Sequence, residues 1–304
     1  MTKKEILDKL GTIRQSTIKS YQNCGINWRL RYIEGVKPSY RHPAALHGSS
    51  LHLVLFWLSG NWDMDIARMY RKAFNHYEFG DEENVPVRWA GTREETLEAF
   101  TKNAVEIIKG YRSKEYNRDA LVLFAEAPFK VRIMSTNYSG MIDQVRKNPD
   151  GSIELVDFKS NKQKPNPYSL EADWQLSLYS YALRFGELEV DGIWTKPRIL
   201  ADHSTWYHLR AHEKYKRRTG NALVGDEKGN PRMRSSRTLQ ELRHFRKEIA
   251  NIVKVMSKDW TFPNPNSCSF CGYTQECAAR AQVLPDRDLN NAQKMLQELE
   301  MEVA

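Results

Sequence analysis

The chain has 304 residues, of which 40% are hydrophobic and 28% are charged. This length is enough to bury a substantial core, and the composition excludes a largely disordered chain. No run of about eighteen apolar residues occurs, which argues against a membrane-spanning helix. Because the first residues lead into no apolar segment typical of a secretory signal, we expect the protein in the cytoplasm.

The net charge of +8 is distributed unevenly along the chain. Between Ala211 and Arg237 there are eight basic and three acidic residues, which together supply +5. A basic patch favours a polyanion, because phosphates that it neutralises release condensed counterions. Charge alone does not separate a nucleic-acid contact from a solvated basic loop. The side chains predicted to contact DNA are Lys214, Lys216, Arg217, Arg218, Arg232 and Arg234.

The first part of the sequence predicts helices. Residues 1–35 have a helical pattern, with Ser16 or Thr17 as a possible N-cap. Apolar residues at helical spacing predict a helix from Pro43 to Leu58, and a second helical block extends from Trp62 to Tyr116. The apolar stripe of that block is typical of core packing.

After Ala120 the pattern changes to that of strands. Strands are predicted at Leu121–Phe124, Phe129–Ile133, Gly140–Arg146, Ile153–Phe158, Val190–Trp194 and Ser204–Leu209. An amphipathic helix is predicted at Glu171–Phe185, and the capping-box residues Thr238 and Glu241 indicate the start of another. Helices before and after a sheet predict an α/β protein with a three-layer α/β/α domain.

A tight turn is predicted between two of these strands, at Asn148-Pro-Asp-Gly151. The sequence fits a type I turn with Gly151 in the left-handed conformation. In the resulting hairpin Asn148 pairs with Ser152. Asp143 is then expected directly opposite Asp157.

Directly opposed residues have Cβ atoms about 5 Å apart, so the carboxylates of Asp143 and Asp157 are close enough to bind one divalent cation. Lys159 falls on the same face as Asp157, because strand side chains alternate. Burying unpaired charges costs several kcal/mol, which favours a bound Mg²⁺ or Mn²⁺ ion with oxygen ligands. The alternative at this point is a surface hairpin stabilised by an Asp157–Lys159 ion pair.

Two further short motifs flank the hairpin. Upstream, Gly48-x-x-x-His52 lies on a predicted helix, where the imidazole can supply a further ligand. Downstream, Gln175-x-x-x-Tyr179 places an amide and a phenol on one helix face. In isolation, each of these motifs is more often explained by core packing than by chemistry.

Together, and in this order, the four motifs resemble the RecB-type nucleases of the PD-(D/E)xK superfamily, whose pattern is G-x-x-x-H, G-x-x-D, D-x-K and Q-x-x-x-Y. The matching positions are Gly48–His52, Gly140–Asp143, Asp157–Lys159 and Gln175–Tyr179. The resemblance extends from about Ser16 to Cys277. It implies a restriction-endonuclease-like core with a mixed central sheet.

The resemblance also implies roles for these residues. The implied ligands of Mg²⁺ or Mn²⁺ are His52, Asp143, Asp157 and the backbone carbonyl of Phe158. Lys159 would orient or deprotonate the attacking water and stabilise the developing negative charge. Gln175 and Tyr179 would contact the DNA strand or support the site. Glu126 lies ahead of the G-x-x-D strand, where an acidic residue is often seen, and is left without an assigned role.

The four cysteines are Cys24, Cys268, Cys271 and Cys277. Disulfides are unexpected in the cytoplasm, whereas four thiolates suit an iron–sulfur cluster or a structural Zn²⁺ site, and their spacing does not distinguish the two. One N-terminal cysteine followed by C-x2-C-x5-C resembles the staple of RecB-like CRISPR-associated and recombination nucleases, which implies a 4Fe-4S cluster. We therefore expect one nuclease domain over residues 1–304, a helical insertion at 61–120 and a cluster module of residue 24 with residues 263–280.

Three functions are compatible with these motifs. The intact D-x-K pattern favours a metal-dependent DNA exonuclease acting at single-stranded ends. A non-catalytic DNA-binding or assembly subunit with the same fold is the alternative, and a redox carrier has only the cysteines in its favour. No G-x-x-x-x-G-K-[ST] loop, G-x-S-x-G elbow or H-E-x-x-H motif occurs. A separate helicase, recombination or CRISPR-type protein remains a candidate partner.

Overall fold

In the computed structural model, a mixed β-sheet has helices packed against both of its faces. The structure describes residues 2–80, 85–115, 119–161, 166, 168–212 and 230–277. The helices are α1 (Lys3–Leu10), α2 (Gln15–Asn23), α3 (Gly25–Trp28), α4 (Pro43–Gly60), α5 (Ile66–Phe79), α6 (Arg93–Glu115), α7 (Tyr168–Glu171), α8 (Trp174–Phe185) and α9 (Leu239–Met256). The strands are β1 (Ile13–Arg14), β2 (Leu121–Ile133), β3 (Thr136–Lys147), β4 (Ile153–Lys159), β5 (Glu187–Val190), β6 (Ile193–Thr195), β7 (His203–His208) and β8 (Arg232–Ser235).

The sheet has the strand order β6-β5-β2-β3-β4-β7-β8, with the short strand β1 paired to β3. Pairing is parallel between β4 and β7 and between β1 and β3, and antiparallel elsewhere. Strands β2, β3 and β4 therefore lie at the centre of a mixed sheet. This confirms the predicted α/β class and mixed central sheet.

The predicted hairpin is formed by β3 and β4. Gln144 pairs with Val156 and Lys147 with Ile153, which is the predicted register. At the turn, the backbone N–H of Asn148 donates to the carbonyl of Ser152 at 2.8 Å. Gly151 has a φ of +85°, the left-handed conformation that the turn requires.

Neighbouring residues of the central strands point into two different hydrophobic cores. Leu155 packs with residues of α1, α2, α8 and α9, whereas Val156 packs with residues of α4, α5 and α6. On β7, Trp206 belongs to the same core as Leu155, and Tyr207 belongs to the same core as Val156. Because strand side chains alternate between faces, the two helix groups cover opposite faces of the sheet. This arrangement is the predicted three-layer α/β/α architecture.

Several predicted boundaries differ from the structure. Strand β2 is continuous across Ala125–Pro128, where two strands were predicted, because its pairing with β3 continues on both sides of that segment. Helix α8 begins at Trp174, after Asp173, whose carboxylate accepts from the N–H of Leu176 at 2.6 Å. The short strand β8 lies in a stretch that was predicted as a basic loop.

A network of buried ion pairs joins the helical layer to the sheet. Glu115, at the end of α6, accepts from Arg146 on β3 at 2.8 Å and also pairs with Arg232 on β8. Glu154 on β4 accepts from Arg232 at 2.8 Å and from Arg234 at 3.0 Å. Burial opposes ionisation of Glu154, but Arg146 and Arg232 outweigh that effect and lower its pKa to about 2.

None of the helices formed by the described residues is both long and apolar enough to cross a membrane.

Replacing Glu154 should weaken folding in a pH-dependent way. A carboxyl whose pKa is lowered in the folded protein stabilises it above the ordinary pKa of 4.5, and this contribution is lost as the pH falls toward about 2. In Glu154→Gln we expect a free energy of unfolding at pH 7 lower by about 3 kcal/mol, since three guanidinium groups lose a charged partner. The wild-type loss of stability between pH 4.5 and 2 should be smaller in the variant.

Glu187→Gln is the matched control, because Glu187 forms its ion pairs with Lys130 and Lys196, whose side chains are solvent-exposed. Urea titrations of the three proteins from pH 2 to pH 7 measure both effects. Equal stability of Glu154→Gln and Glu187→Gln at pH 7 would contradict the role given to the buried network.

Candidate active site and cysteine cluster

Three carboxylates lie side by side on the three central strands. Asp143 on β3 is flanked by Glu126 on β2, since the neighbouring residues Ala125 and Ala127 pair with Gln144 and Ile142. On its other side is Asp157 on β4, the residue directly after the last pair of the hairpin, Gln144 and Val156. Asp143 and Asp157 are both buried. Like charges this close repel one another, so the arrangement requires positive charge nearby.

Helix α4 brings an imidazole to this row of carboxylates. A Cβ atom at Gly48 would lie 3.1 Å from the hydroxyl oxygen of Ser160, directly after β4. The absence of a side chain at Gly48 therefore lets α4 approach the end of β4 closely. His52, one helical turn later on the same face, then packs edge-on against the ring of Phe158, with ring centroids 6.1 Å apart.

His52 and two of the carboxylates converge on one point. The Nδ1 atom of His52 lies 3.5 Å from a carboxylate oxygen of Glu126 and 3.5 Å from one of Asp143. Burial opposes protonation of the imidazole, but Asp143 and Glu126 outweigh it and hold the pKa of His52 well above its usual value. The local field therefore favours a positive charge at this point.

Glu126 has an unusual backbone conformation. Its φ is +43°, in the left-handed region that residues with a side chain rarely adopt. The position interrupts the regular pleat of β2 while pairing to β3 continues on both sides. Such strain is often found at functional sites, where it holds a side chain in a required direction. Here it accompanies the placement of the Glu126 carboxylate beside Asp143 and His52.

Asp157 is held by a separate set of contacts from α8 and β4. One carboxylate oxygen accepts from the amide of Gln175 at 2.8 Å, and the other lies 2.5 Å from the ammonium of Lys159. Lys159 also donates to the amide oxygen of Gln175 at 3.1 Å. Burial and the Asp143 charge raise the pKa of Asp157, although Lys159 opposes the shift.

The hydrogen-bond chain continues to the N-terminal part of the protein. Gln175 donates to the phenol oxygen of Tyr179 at 2.9 Å, and the Tyr179 hydroxyl donates to the amide oxygen of Gln15 at 3.0 Å. Burial and the charges of Asp143 and Asp157 hold the pKa of Tyr179 well above its usual value, so the phenol keeps its proton as a donor. Gln15 was not identified from the sequence.

These residues include those of the four sequence motifs, gathered at the central strands from both layers of helices. The sequence profile of the PD-(D/E)XK nuclease superfamily matches residues 13–278. The chain belongs to the PD-(D/E)XK nuclease superfamily. No curated protein matches the sequence significantly. The superfamily domain covers most of the chain and supports a metal-dependent nuclease with DNA as its substrate.

The donor set of this nuclease fits a divalent cation. The ligand atoms of His52, Glu126 and Asp143 all lie within 4.8 Å of one another. Ligand atoms at about 2.1 Å from an octahedral ion are separated by about 3.0 to 4.2 Å, so only small side-chain shifts are needed. The carboxylate oxygens of Glu126 and Asp143 also suit Mg²⁺ or Mn²⁺.

The structure places the predicted ligands in two groups. His52 and Asp143 lie with Glu126, which the sequence analysis left without a role, whereas Asp157 is turned toward Lys159 and Gln175. The backbone N–H of Phe158 donates to Asp143 at 2.7 Å and so fixes that carboxylate. The signal that could have identified Glu126 is its position opposite Asp143 in the β2–β3 ladder, which requires knowing that register.

The four cysteines are close together in the fold of this nuclease. Cys24 lies between α2 and α3, and the other three lie in the segment after α9. None of them forms a disulfide. Burial raises the pKa of the Cys277 thiol, and the negative charges of Cys24, Cys271 and Cys268 raise it further.

Backbone contacts join the two segments that carry the cysteines. The N–H of Gly25 donates to the carbonyl of Phe262 at 3.0 Å. Asn264 and Ser267 both donate to the carbonyl of Asn23, at 2.8 Å and 3.0 Å. The N- and C-terminal parts of the described chain therefore meet at the cysteines.

The basic residues predicted to contact DNA have different positions. Lys214, Lys216, Arg217 and Arg218 lie outside the described residues. The prediction for Arg232 is wrong, because its side chain is only 6% exposed and is paired with Glu154 and Glu115. Arg234 is 39% exposed, and its Nε atom donates to the same Glu154 carboxylate.

Replacing Glu126 with glycine should weaken metal binding without lowering the stability of the fold. Glycine adopts a positive φ without steric cost, so Glu126→Gly should keep its free energy of unfolding or gain up to about 1 kcal/mol. Its affinity for Mn²⁺ should fall at least about tenfold, since a ligand is lost. Calorimetric Mn²⁺ titration and thermal unfolding measure the two quantities.

Met134→Gly is the matched control, because Met134 also has a positive φ, of +55°, and its side chain is exposed in the β2–β3 turn. This control should gain comparable stability and bind Mn²⁺ like the wild type. Wild-type Mn²⁺ affinity in Glu126→Gly would show that Glu126 is not a ligand.

Proposed function

We propose that the protein is a metal-dependent DNA exonuclease of the RecB-like type that hydrolyses phosphodiester bonds at single-stranded ends. The observation that supports this proposal is the convergence of His52, Glu126 and Asp143 beside the Asp157–Lys159 pair. A non-catalytic subunit would not need to keep both the cluster of His52, Glu126 and Asp143 and the Asp157–Lys159 pair. The exonuclease and single-strand preferences rest on the resemblance of the four sequence motifs to RecB-type nucleases.

In this proposal His52, Glu126 and Asp143 hold a Mg²⁺ or Mn²⁺ ion, and Asp157 and the carbonyl of Phe158 complete the set. When bound, the ion would polarise the scissile phosphate and activate a water molecule. The row of carboxylates supplies the negative charge that this ion neutralises. The hydrogen bond from the Phe158 N–H to Asp143 holds one ligand in position before the ion binds.

Lys159 is the cationic group of the proposed reaction. Its ammonium is fixed by Asp157 and by Gln175, and it lies over the ring of Trp206, 5.6 Å from the centroid. An oriented ammonium stabilises negative charge that develops on the phosphate, because it needs no reorganisation when the charge forms. Gln175 and Tyr179 are positioning residues that hold Asp157 and Lys159 relative to one another.

We further propose that the cysteines bind a 4Fe-4S cluster with a structural role. Among the described residues, three or more His, Cys, Asp or Glu ligand atoms come within 4.8 Å of one another only at His52, Glu126 and Asp143. A zinc ion with Zn–S bonds of about 2.3 Å would bring its four sulfur atoms to about 3.8 Å from each other. No three of these thiols lie within 4.8 Å of one another, which favours the larger cluster over zinc. Such a cluster would restrain the long loop between residues 24 and 268.

The proposed activity also suggests a partner. The sequence has no nucleotide-binding loop of the G-x-x-x-x-G-K-[ST] type, and in this proposal a separate protein unwinds the DNA. A helicase, recombination or CRISPR-type protein that supplies single-stranded ends is the partner class that fits an exonuclease of this type.

Nuclease activity is tested with end-labelled single-stranded DNA and a covalently closed single-stranded circle. The wild type should degrade the linear DNA with Mg²⁺ or Mn²⁺ but not with EDTA, and it should leave the circle intact. Asp143→Asn and Lys159→Ala should each lower the rate by about a hundredfold or more, because each removes transition-state stabilisation.

Asp191→Asn and Lys147→Ala are matched controls, since both residues are exposed and neither belongs to the site. They should cleave like the wild type. A wild type that binds DNA without cleaving it would support the non-catalytic alternative. Cleavage of the circle at the linear rate would contradict the exonuclease proposal.

The cluster is tested on protein purified without oxygen. We expect a brown protein with iron and sulfide in the ratio of a 4Fe-4S cluster, and a lower thermal unfolding temperature in Cys268→Ser or Cys271→Ser than in the wild type, because the restraint on the unfolded chain is lost. Metal analysis, visible absorption and thermal unfolding measure these effects. A colourless protein loaded with zinc would contradict the cluster proposal.

A further inference from the structure

Helix α2 runs beside the proposed active site. At its first residue, the amide oxygen of Gln15 accepts from the Tyr179 hydroxyl at 3.0 Å. Tyr179 in turn contacts Gln175, which binds both Asp157 and Lys159. Thr17 and Ile18 of the same helix are buried, which fixes α2 in the protein. The Gln15 face of the helix is therefore held against the site.

Lys19 lies on this face, one helical turn after Gln15. Residues four positions apart are neighbours on a helix surface, so Lys19 follows Gln15 along the edge of the site. Its side chain is exposed to solvent. Burial of part of the group and the charge of Lys159 lower the pKa of Lys19, whereas Asp157 and Asp173 raise it. Two lysine ammonium groups thus share one region.

The two lysines differ in what they contact. Lys159 is paired with Asp157 and Gln175. Among the described residues, by contrast, the ammonium group of Lys19 forms no hydrogen bond or ion pair with another side chain or backbone group. An exposed ammonium beside a second ammonium is stabilised by an anion placed between or next to them. A DNA strand entering a site rich in carboxylates supplies such an anion in each backbone phosphate.

We propose that Lys19 binds a backbone phosphate of the DNA strand next to the bond that is cleaved. The inference rests on the proposed nuclease function and assigns Lys19 as a positioning residue. Its role is to hold the strand along α2, so that the scissile phosphate reaches Lys159 and the row of carboxylates. Because the contact is to a phosphate, it does not depend on the base sequence.

The test compares full-length wild type with Lys19→Ala, Lys19→Arg and Lys4→Ala. Lys4 is the matched control, an exposed lysine of α1. Binding of a fluorescent single-stranded oligonucleotide is measured in EDTA over a range of salt concentrations. Loss of one phosphate contact should weaken binding about tenfold at low salt and reduce the slope of log K against log salt by about 0.7. Lys19→Arg should keep the wild-type slope, because it keeps the charge.

Cleavage assays give a second readout. With Mg²⁺ or Mn²⁺, Lys19→Ala should have a raised KM for oligonucleotides of different sequence by a similar factor, while Lys4→Ala should match the wild type. If Lys19 had only a structural role, arginine at this position would not restore the salt slope that alanine reduces.

The outcomes separate the two proposals. If the wild type cleaves DNA and Asp143→Asn does not, but Lys19→Ala keeps the wild-type salt slope and KM, the inference on Lys19 is overturned and the nuclease proposal stands. If the wild type binds DNA without cleaving it, the nuclease proposal fails, and the salt slope still decides the role of Lys19. A wild type that binds no DNA overturns both.

Discussion

The main constraint on the structure is the repulsion between three carboxylates that lie side by side on adjacent strands. Glu126, Asp143 and Asp157 lie on the three central strands, and the burial of Asp143 and Asp157 limits how far water screens their charges. The fold offsets this cost from both layers of helices. Helix α4 supplies His52 on one side, and Lys159 with the α8 residue Gln175 contacts Asp157 on the other. The remaining negative charge is what makes the site suitable for a divalent cation.

The sequence predicts the part of the site that depends on local geometry. The β3–β4 hairpin has the predicted register, because a turn of known type fixes which residues face each other across it. Glu126 was left without a role because its left-handed backbone lies in Ala125–Pro128, a segment that sequence patterns mark as a break between strands. Arg232 was assigned to DNA because net charge along the chain does not show which basic side chains are paired in the core.

Contacts between distant parts of the chain were beyond prediction for a different reason. Gln15 and Tyr179 are 164 residues apart, and their hydrogen bond depends on how α2 packs against α8 and the sheet. No local pattern specifies such packing. The same holds for the pairing of Glu115 with β3 and β8, which connects the helical layer to the sheet. The motif residues mark the site, whereas tertiary packing decides which side chains complete it.

Helix α2 belongs to two parts of the fold at once. It is nine residues long, so about 13 Å of helix separates Gln15 at one end from Cys24 directly after the other. One end supplies the acceptor of the Tyr179 hydroxyl, and the other leads into the cysteine cluster. A single short helix therefore connects the carboxylate site with the cysteines, although no cysteine belongs to that site.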